Sequence, residues 1–186
     1  AMLTDHLYVH GGIADANGQP TRSGWDTFFG DAEYFTYFEV GLTTSQERIY
    51  LDNIHVTLWH VDPRKEAAVP EGSGVVVTAQ KFICDQWLPF VRAGYADGEA
   101  SLLRATFSAG IGRFNAQNHD LFGVAVNWGR PAANGLRDQF TSELFYRFQL
   151  TEFLAITPDV QLIANPALNP EEDLIAFCGL RFRAAF

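Results

Sequence analysis

Missing from this chain of 186 residues is any run approaching the ~18 consecutive apolar residues that a membrane-crossing helix needs, although 47% of it is hydrophobic. A helical membrane protein is therefore excluded. Cysteine is scarce too: Cys84 and Cys178 are too few and too far apart for a disulfide framework or a zinc site, and read as small hydrophobes. Basic residues are outnumbered, 13 Lys and Arg against 22 Asp and Glu, for a net charge of -9 with no basic stripe. Nucleic acid is disfavoured as a partner, since nothing replaces counterions along a phosphate backbone. The opening AMLTDHLYVH has neither a basic flank nor a continuous apolar core, so it is not a secretory signal. The expectation is a mature or trimmed chain, with the first two residues a remnant of cloning.

Motifs for chemistry are equally thin. His6 and His10 share a strand face but stand about 13 Å apart at ~3.3 Å per residue, too far to chelate one ion. The stretch DANGQPTRSGWD imitates a calcium loop at Asp15 and Asn17, but has Pro20 where the turn glycine belongs and Asp26 in place of a bidentate Glu. GIGRFN lacks the third glycine and the following helix of a dinucleotide fingerprint, and no nucleophile elbow supports hydrolysis by a Ser with His55. No enzyme, metal or cofactor is expected.

What the chain does have is aromatics and glycine, 16 Phe, 6 Tyr, 4 Trp and 16 Gly, in segments that alternate with period two. The pattern predicts ten strands, over 5–15, 33–43, 49–60, 74–83, 87–96, 102–112, 119–129, 137–149, 152–164 and 173–185. Each is about the length that a tilted strand needs to cross a bilayer. A β-barrel escapes the hydropathy argument, because its lipid face uses only every second residue.

The connections alternate in length. ANGQPTRSGWDTFFGD, VDPRKEAAVPEGSG, GRPAANGLRD and NPALNPEED are long, whereas TTSQER, CDQ and LT are short, with ADGEAS and RFNAQNH intermediate. Outer-membrane barrels sort their loops in this way.

Side-chain direction points to the same architecture. In QFTSELFYRFQL, Phe140, Ser142, Leu144, Tyr146, Phe148 and Leu150 oppose Thr141, Glu143, Phe145, Arg147 and Gln149; elsewhere Ile54, Val56 and Leu58 oppose His55 and Trp59. Similarly, Leu103, Ala105 and Phe107 oppose Arg104 and Thr106, while Phe122, Val124 and Val126 oppose small and polar residues. In the closing CGLRFRAAF, Cys178, Leu180 and Phe182 oppose Arg181 and Arg183. The polar sides make a poor dry core and suit a wet lumen.

Outward aromatics form two belts, with Tyr95, Trp128 and Phe140 near one end and Trp87, Phe148 and Phe186 near the other. Lys81 and Pro158 break the pattern and call for a bulge or a register change. The expected fold is all-β, a single antiparallel transmembrane β-barrel domain.

The stretches GWDTFFGDAEYFTYFEVGLT, YLDNIHVTLWHVD, WLPFVRAGYADG, LFGVAVNWGRP, GLRDQFTSELFYRFQLTEFLAITPDVQLIANPALNP and GLRFRAAF resemble the C-terminal half of the carbohydrate-selective porin family of Gram-negative outer membranes. The resemblance covers nearly the whole chain and is densest from Trp87 onward. It implies a barrel of about sixteen strands, passive uptake of small sugars across the cell outer membrane, contact with outer-membrane lipid, and a terminal Phe186 read by the barrel-assembly machinery. It also admits a homo-oligomer. The chain is then part of a larger pore, a short relative closed on its ten strands, or a half that needs another chain.

Sugar passage calls for polar side chains that exchange hydrogen bonds with hydroxyls and flat rings that stack on pyranose faces. The candidates on the wet side are Glu39, His55, Trp59, Arg92, Arg104, Glu143, Arg147, Asp159, Arg181 and Arg183. The competing reading of each is an ion-paired wall that keeps a barrel rigid. For the whole chain the alternatives are a plugged, non-conducting anchor and a soluble β-barrel binding module.

Overall fold

The computed structural model describes residues 1–19, 21 and 24–185. Ten strands form one antiparallel sheet in chain order. They are β1 (Leu7–Asp15), β2 (Tyr34–Thr43), β3 (Asn53–Val61), β4 (Gly72–Gln80), β5 (Trp87–Gly98), β6 (Leu103–Phe114), β7 (Leu121–Pro131), β8 (Gln139–Gln149), β9 (Leu154–Ala164) and β10 (Leu174–Ala184). A short helix α1 (Trp25–Gly30) lies in the first connection and a 3-10 turn, Gln46–Arg48, in the second. Among the described residues no helix is long and apolar enough to cross a membrane.

Each strand pairs with the next, and β1 and β10 remain the two edges, so the ten strands do not close on themselves. The closed ten-strand barrel considered from the sequence is not formed.

A register that is constant through the middle of the sheet makes the two faces consistent from strand to strand. One row reads Leu42, Ile54, Ala79, Val91, Ala109, Val126, Ser142 and Leu162; the row beside it reads Ile111, Val124, Leu144, Val160 and Cys178. These side chains are exposed rather than packed together: Val126 is 54% accessible, Leu144 48% and Phe182 66%. A soluble module would bury this face, so that alternative fails.

The predicted bounds hold to within a few residues, with informative exceptions. Residues 49–52 belong to the turn that follows the 3-10 segment, because Leu51 and Asp52 both donate backbone N–H bonds to the Arg48 carbonyl. Lys81 falls beyond β4, where its N–H bonds the Pro89 carbonyl, so the alternation of that strand does not fix its side. Pro158 causes neither a bulge nor a register change. The β8–β9 register is the same on both sides of it, and only the pairings of Tyr146 and Arg147 drop out, as expected where a residue has no N–H to donate.

The one register shift lies at Leu103/Ala105. It leaves Arg104 without an opposing residue and brings Leu103 against Gly129, so the alternation that assigned Arg104 to the wet face does not apply there. Cys178 does lie in an apolar row, but Cys84 is no small core hydrophobe: it is exposed, in a tight turn where Cys84 and Asp85 both have φ 51.

Loop sorting is partial. The end with the first and last long connections carries 16–33, 62–71, 132–138 and 165–173, but β5 runs on to Gly98 and leaves only 99–102 before β6, while 44–52 at the other end is as long as 165–173. Buried carboxylates tie neighbouring connections together. Asp52 accepts bonds from the Thr44 hydroxyl (2.9 Å), Arg48 Nε (2.7 Å) and the Phe82 N–H (2.6 Å). Asp120 accepts from Asn118, Tyr146 and the Gln149 N–H, and Glu33 from Asn17 and the Lys65 N–H.

At the two ends of the exposed face an arginine lies over a tryptophan: Arg113 is 5.2 Å from the Trp87 ring centre and Arg130 5.4 Å from that of Trp128. Tyr95 and Phe140 join Trp128 at the long-loop end, and Phe148 lies at the end of Trp87. Phe186, expected in that second belt, lies outside the described residues.

Two outcomes follow for stability. An arginine in place of Leu144, near the middle of the apolar face, costs about 2–4 kcal/mol in a bilayer, whereas Thr141→Arg on the other face costs much less; urea unfolding of the liposome-embedded protein measures the difference. The Arg48 guanidinium, aided by the Phe82 and Thr44 donors, holds the Asp52 carboxyl down at about 2. Its stabilisation is complete above the ordinary carboxylate range and is lost as pH falls through about 2. Asp52→Asn removes it at neutral pH, at a cost of about 1–3 kcal/mol seen in the same unfolding midpoint.

Candidate functional site: the polar face of the sheet

The other face carries the chemistry. One row crosses it as Tyr8, Gly41, His55, Thr78, Arg92, Ser108, Asn127 and Thr141. It is sheltered where the exposed face is not, with Tyr8, Gly41 and Thr78 buried. Within it Asn127 donates to the Ser108 hydroxyl at 2.8 Å. At the β10 end the row turns apolar, ending in Ile163 and Ile175.

Large rings on this face sit opposite glycines. Tyr8 faces Gly41, Tyr37 faces Gly12, Trp59 faces Gly74, Phe90 faces Gly110 and Phe145 faces Gly123. A Cβ at any of these glycines would run into the ring opposite, so each ring lies down against the wall instead of projecting from it. Asp159 lies over Gly179 in the same manner.

Glu39 is a hub. It accepts from the Tyr8 hydroxyl at 3.1 Å and the Thr57 hydroxyl at 2.7 Å, and His55 Nε2 stands 3.8 Å from it. His55 is steadied on its other side by Asn53, 3.1 Å away. Trp59 occupies the long-loop end of β3, and Arg92 projects, exposed, from the middle of β5.

The remaining candidates fall toward the other end. Glu143 lies between Ala125 and Gln161, and Asp159 between Phe145 and Gly179. Arg147 reaches the His119 carbonyl at 3.2 Å, while its Nε is buried without a partner. Arg181 and Arg183 project from the exposed β10 edge, opposite Thr157 and Ala155. Arg104 stands apart at the bulge.

An ion-paired wall is not what these residues build. Among the described residues, Glu39–His55 is the one pair of candidates within 4.0 Å, and Arg92, Arg104, Arg147, Arg181, Arg183, Glu143 and Asp159 have no such partner. Arg147 apart, whose Nε is buried, their hydrogen-bonding capacity is open to water or solute. No group of three or more His, Cys, Asp or Glu among the described residues could hold a metal ion.

Attention to charge passed over the neutral members, Tyr8, Phe35, Tyr37, Thr57, Ser108 and Asn127. Their signal was parity: Phe35, Tyr37 and Gly41 share the alternation of Glu39, as Tyr8 and Gly12 share that of His10.

The arrangement is one sheet, apolar and exposed on one face, polar and largely without ion pairs on the other. The sequence profile of the Carbohydrate-selective porin, OprB family matches residues 48–186. The chain belongs to that family. OprB-family proteins are β-barrels of the Gram-negative outer membrane, and the polar face is the side such a barrel turns inward.

A solved structure described as the high pH structure of Pseudomonas putida OprB is similar over 99% of this chain, with a TM-score of 0.75 and 15% sequence identity. At that identity the likeness is one of fold. The chain spans 57% of that porin's length. Comparison with curated proteins returns no match. The stretches before residue 48 that resemble the family fall outside the profile match but inside the structural one.

If Glu39 organises this wall, Glu39→Ala strands the Tyr8 and Thr57 hydroxyls and lowers stability by about 1–3 kcal/mol, whereas Glu39→Gln recovers part of it. Thermal unfolding in detergent, followed by loss of β-sheet circular dichroism, reads both.

Proposed function

We propose that this sheet is the wall of an outer-membrane pore through which small carbohydrates diffuse passively, with no covalent step. What carries the reading is the pairing of an exposed apolar face with a polar face whose charged groups, Glu39 and His55 apart, have no ion-pair partner among the described residues. A solute with many hydroxyls can trade water for such groups and be released again, because each contact is weak and many are in reach. Glu39, His55, Trp59, Arg92, Glu143, Arg147, Asp159, Arg181 and Arg183 are the proposed wall contacts, with Arg104 at the rim of the bulge.

Unpaired strand edges are not tolerated in lipid. The β1 and β10 backbones are therefore satisfied by further strands when the protein is embedded. A barrel wide enough for an aqueous channel has about sixteen. The apolar face meets outer-membrane lipid, and Phe186 is the proposed contact for the barrel-assembly machinery.

Liposome swelling with the native, membrane-inserted protein tests the reading. Glucose entry well above that of protein-free liposomes is the expected result. A folded, heat-modifiable protein that admits no sugar and shows no single-channel current would instead identify a plugged anchor.

A further inference from the structure

Within the polar face, three rings do something the charged groups cannot. Phe35 stacks on Trp59, with centroids 6.1 Å apart and planes 27° apart, and lies 6.2 Å from Tyr37. Tyr37 is fixed in turn by His10, edge-on at 5.3 Å and with its hydroxyl 3.2 Å from Nε2. Gly74 beneath Trp59 and Gly12 beneath Tyr37 remove the side chains that would lift those rings. The result is a rigid apolar pavement on an otherwise wet wall.

That pavement borders a groove of about 650 Å³ at the long-loop end of the sheet. Arg64 and Arg92 line the same groove as donors, and the Thr57 hydroxyl, whose proton goes to Glu39, lines it as an acceptor, so polar groups stand around the flat apolar surface. A charged ligand would not need the rings, and an alkyl chain would not need the donors. The shape asks for a molecule with one flat face of C–H groups and a rim of hydroxyls.

From this geometry we infer that Phe35, Tyr37 and Trp59 form a binding subsite for the C–H face of a neutral pyranose at the mouth of the pore, with Arg64, Arg92 and Thr57 meeting its hydroxyls. The inference rests on the pore-wall reading and adds to it a preference that a merely wet channel lacks. An open-chain polyol offers the same hydroxyls but no flat C–H face, so the subsite favours a cyclic hexose over its reduced, acyclic counterpart. The ring contact is worth about a three- to tenfold difference in affinity.

The test compares glucose with sorbitol in proteoliposomes containing the native protein and its Trp59→Ala and Phe35→Leu variants, each first shown to be folded by its heat-modifiable mobility. Glucose flux through the native protein is expected to saturate at a concentration about three- to tenfold lower than sorbitol flux. Both variants should abolish that difference, bringing the two solutes to the same half-saturating concentration. In parallel, a protein keeping Trp59 as its sole tryptophan, with Trp25, Trp87 and Trp128 replaced by Phe, should show a saturable change in fluorescence with glucose and none with sorbitol.

Equal glucose and sorbitol behaviour in the native protein, or a preference untouched in both variants, would overturn the subsite and leave the pore standing. Absence of flux for both solutes would overturn the pore reading itself. Should a variant fail to fold, the fluorescence titration decides the question alone.

Discussion

A backbone in lipid has no water to bond, so every N–H and C=O must find a partner in the protein. The rest of this molecule follows from that requirement. Ten neighbouring strands satisfy it between the outer edges of β1 and β10, with a register that shifts once, at Leu103/Ala105. Because side chains alternate along each strand, a constant register is also what keeps every Val, Leu and Phe of one face in line and every Glu, His and Arg of the other. One slip by a single residue in the middle of the sheet would turn Leu144 inward and Glu143 to the lipid.

The polar face shows how such a wall gains rigidity without a packed core. Its largest side chains lie flat on glycines of the adjacent strand, and Glu39 gathers hydroxyls and an imidazole from β1 and β3. Charges elsewhere on the wall are left without ion-pair partners among the described residues. Rigidity and availability are divided between different residues, the rings and the Glu39 hub supplying the first, and Arg92, Glu143 and Asp159 the second.

Much of the architecture could be read from period two alone, because a strand's two faces differ at each step and ten such segments repeat the contrast. The strand ends were less legible. Residues 49–52 look extended by composition but are drawn into a turn by the Arg48 carbonyl; β5 outruns its predicted end because Asp97 and Gly98 continue to pair with β4, and β6 because Arg113 and Phe114 continue to pair with β7. The direction of Arg104 depends on a bulge, and a bulge leaves no mark on alternation until the partner strand is known. At Pro158 the sequence warned of a disruption that the structure absorbs by omitting two pairings. For the wall chemistry, charge drew attention to Arg92 and Glu39, but the flat rings emerged only with the pairing of Tyr37 to Gly12 and Trp59 to Gly74, two contacts between strands that no single segment contains.

The two outward arginines resting on tryptophans give the sheet a ruler. Arg113 stands opposite Phe122 at one end of β7, and Arg130 lies eight residues further along that strand. At ~3.3 Å per residue the separation is about 26 Å, or about 20 Å along the normal for a strand tilted by ~40°. Guanidinium groups at such positions seek phosphate level, so hydrocarbon thicker than this span has to thin around the protein. Bacterial outer membranes are themselves thinner than average. The cation–aromatic pairs thus make bilayer thickness a sorting criterion, matching the molecule to one membrane of the cell before any solute reaches it.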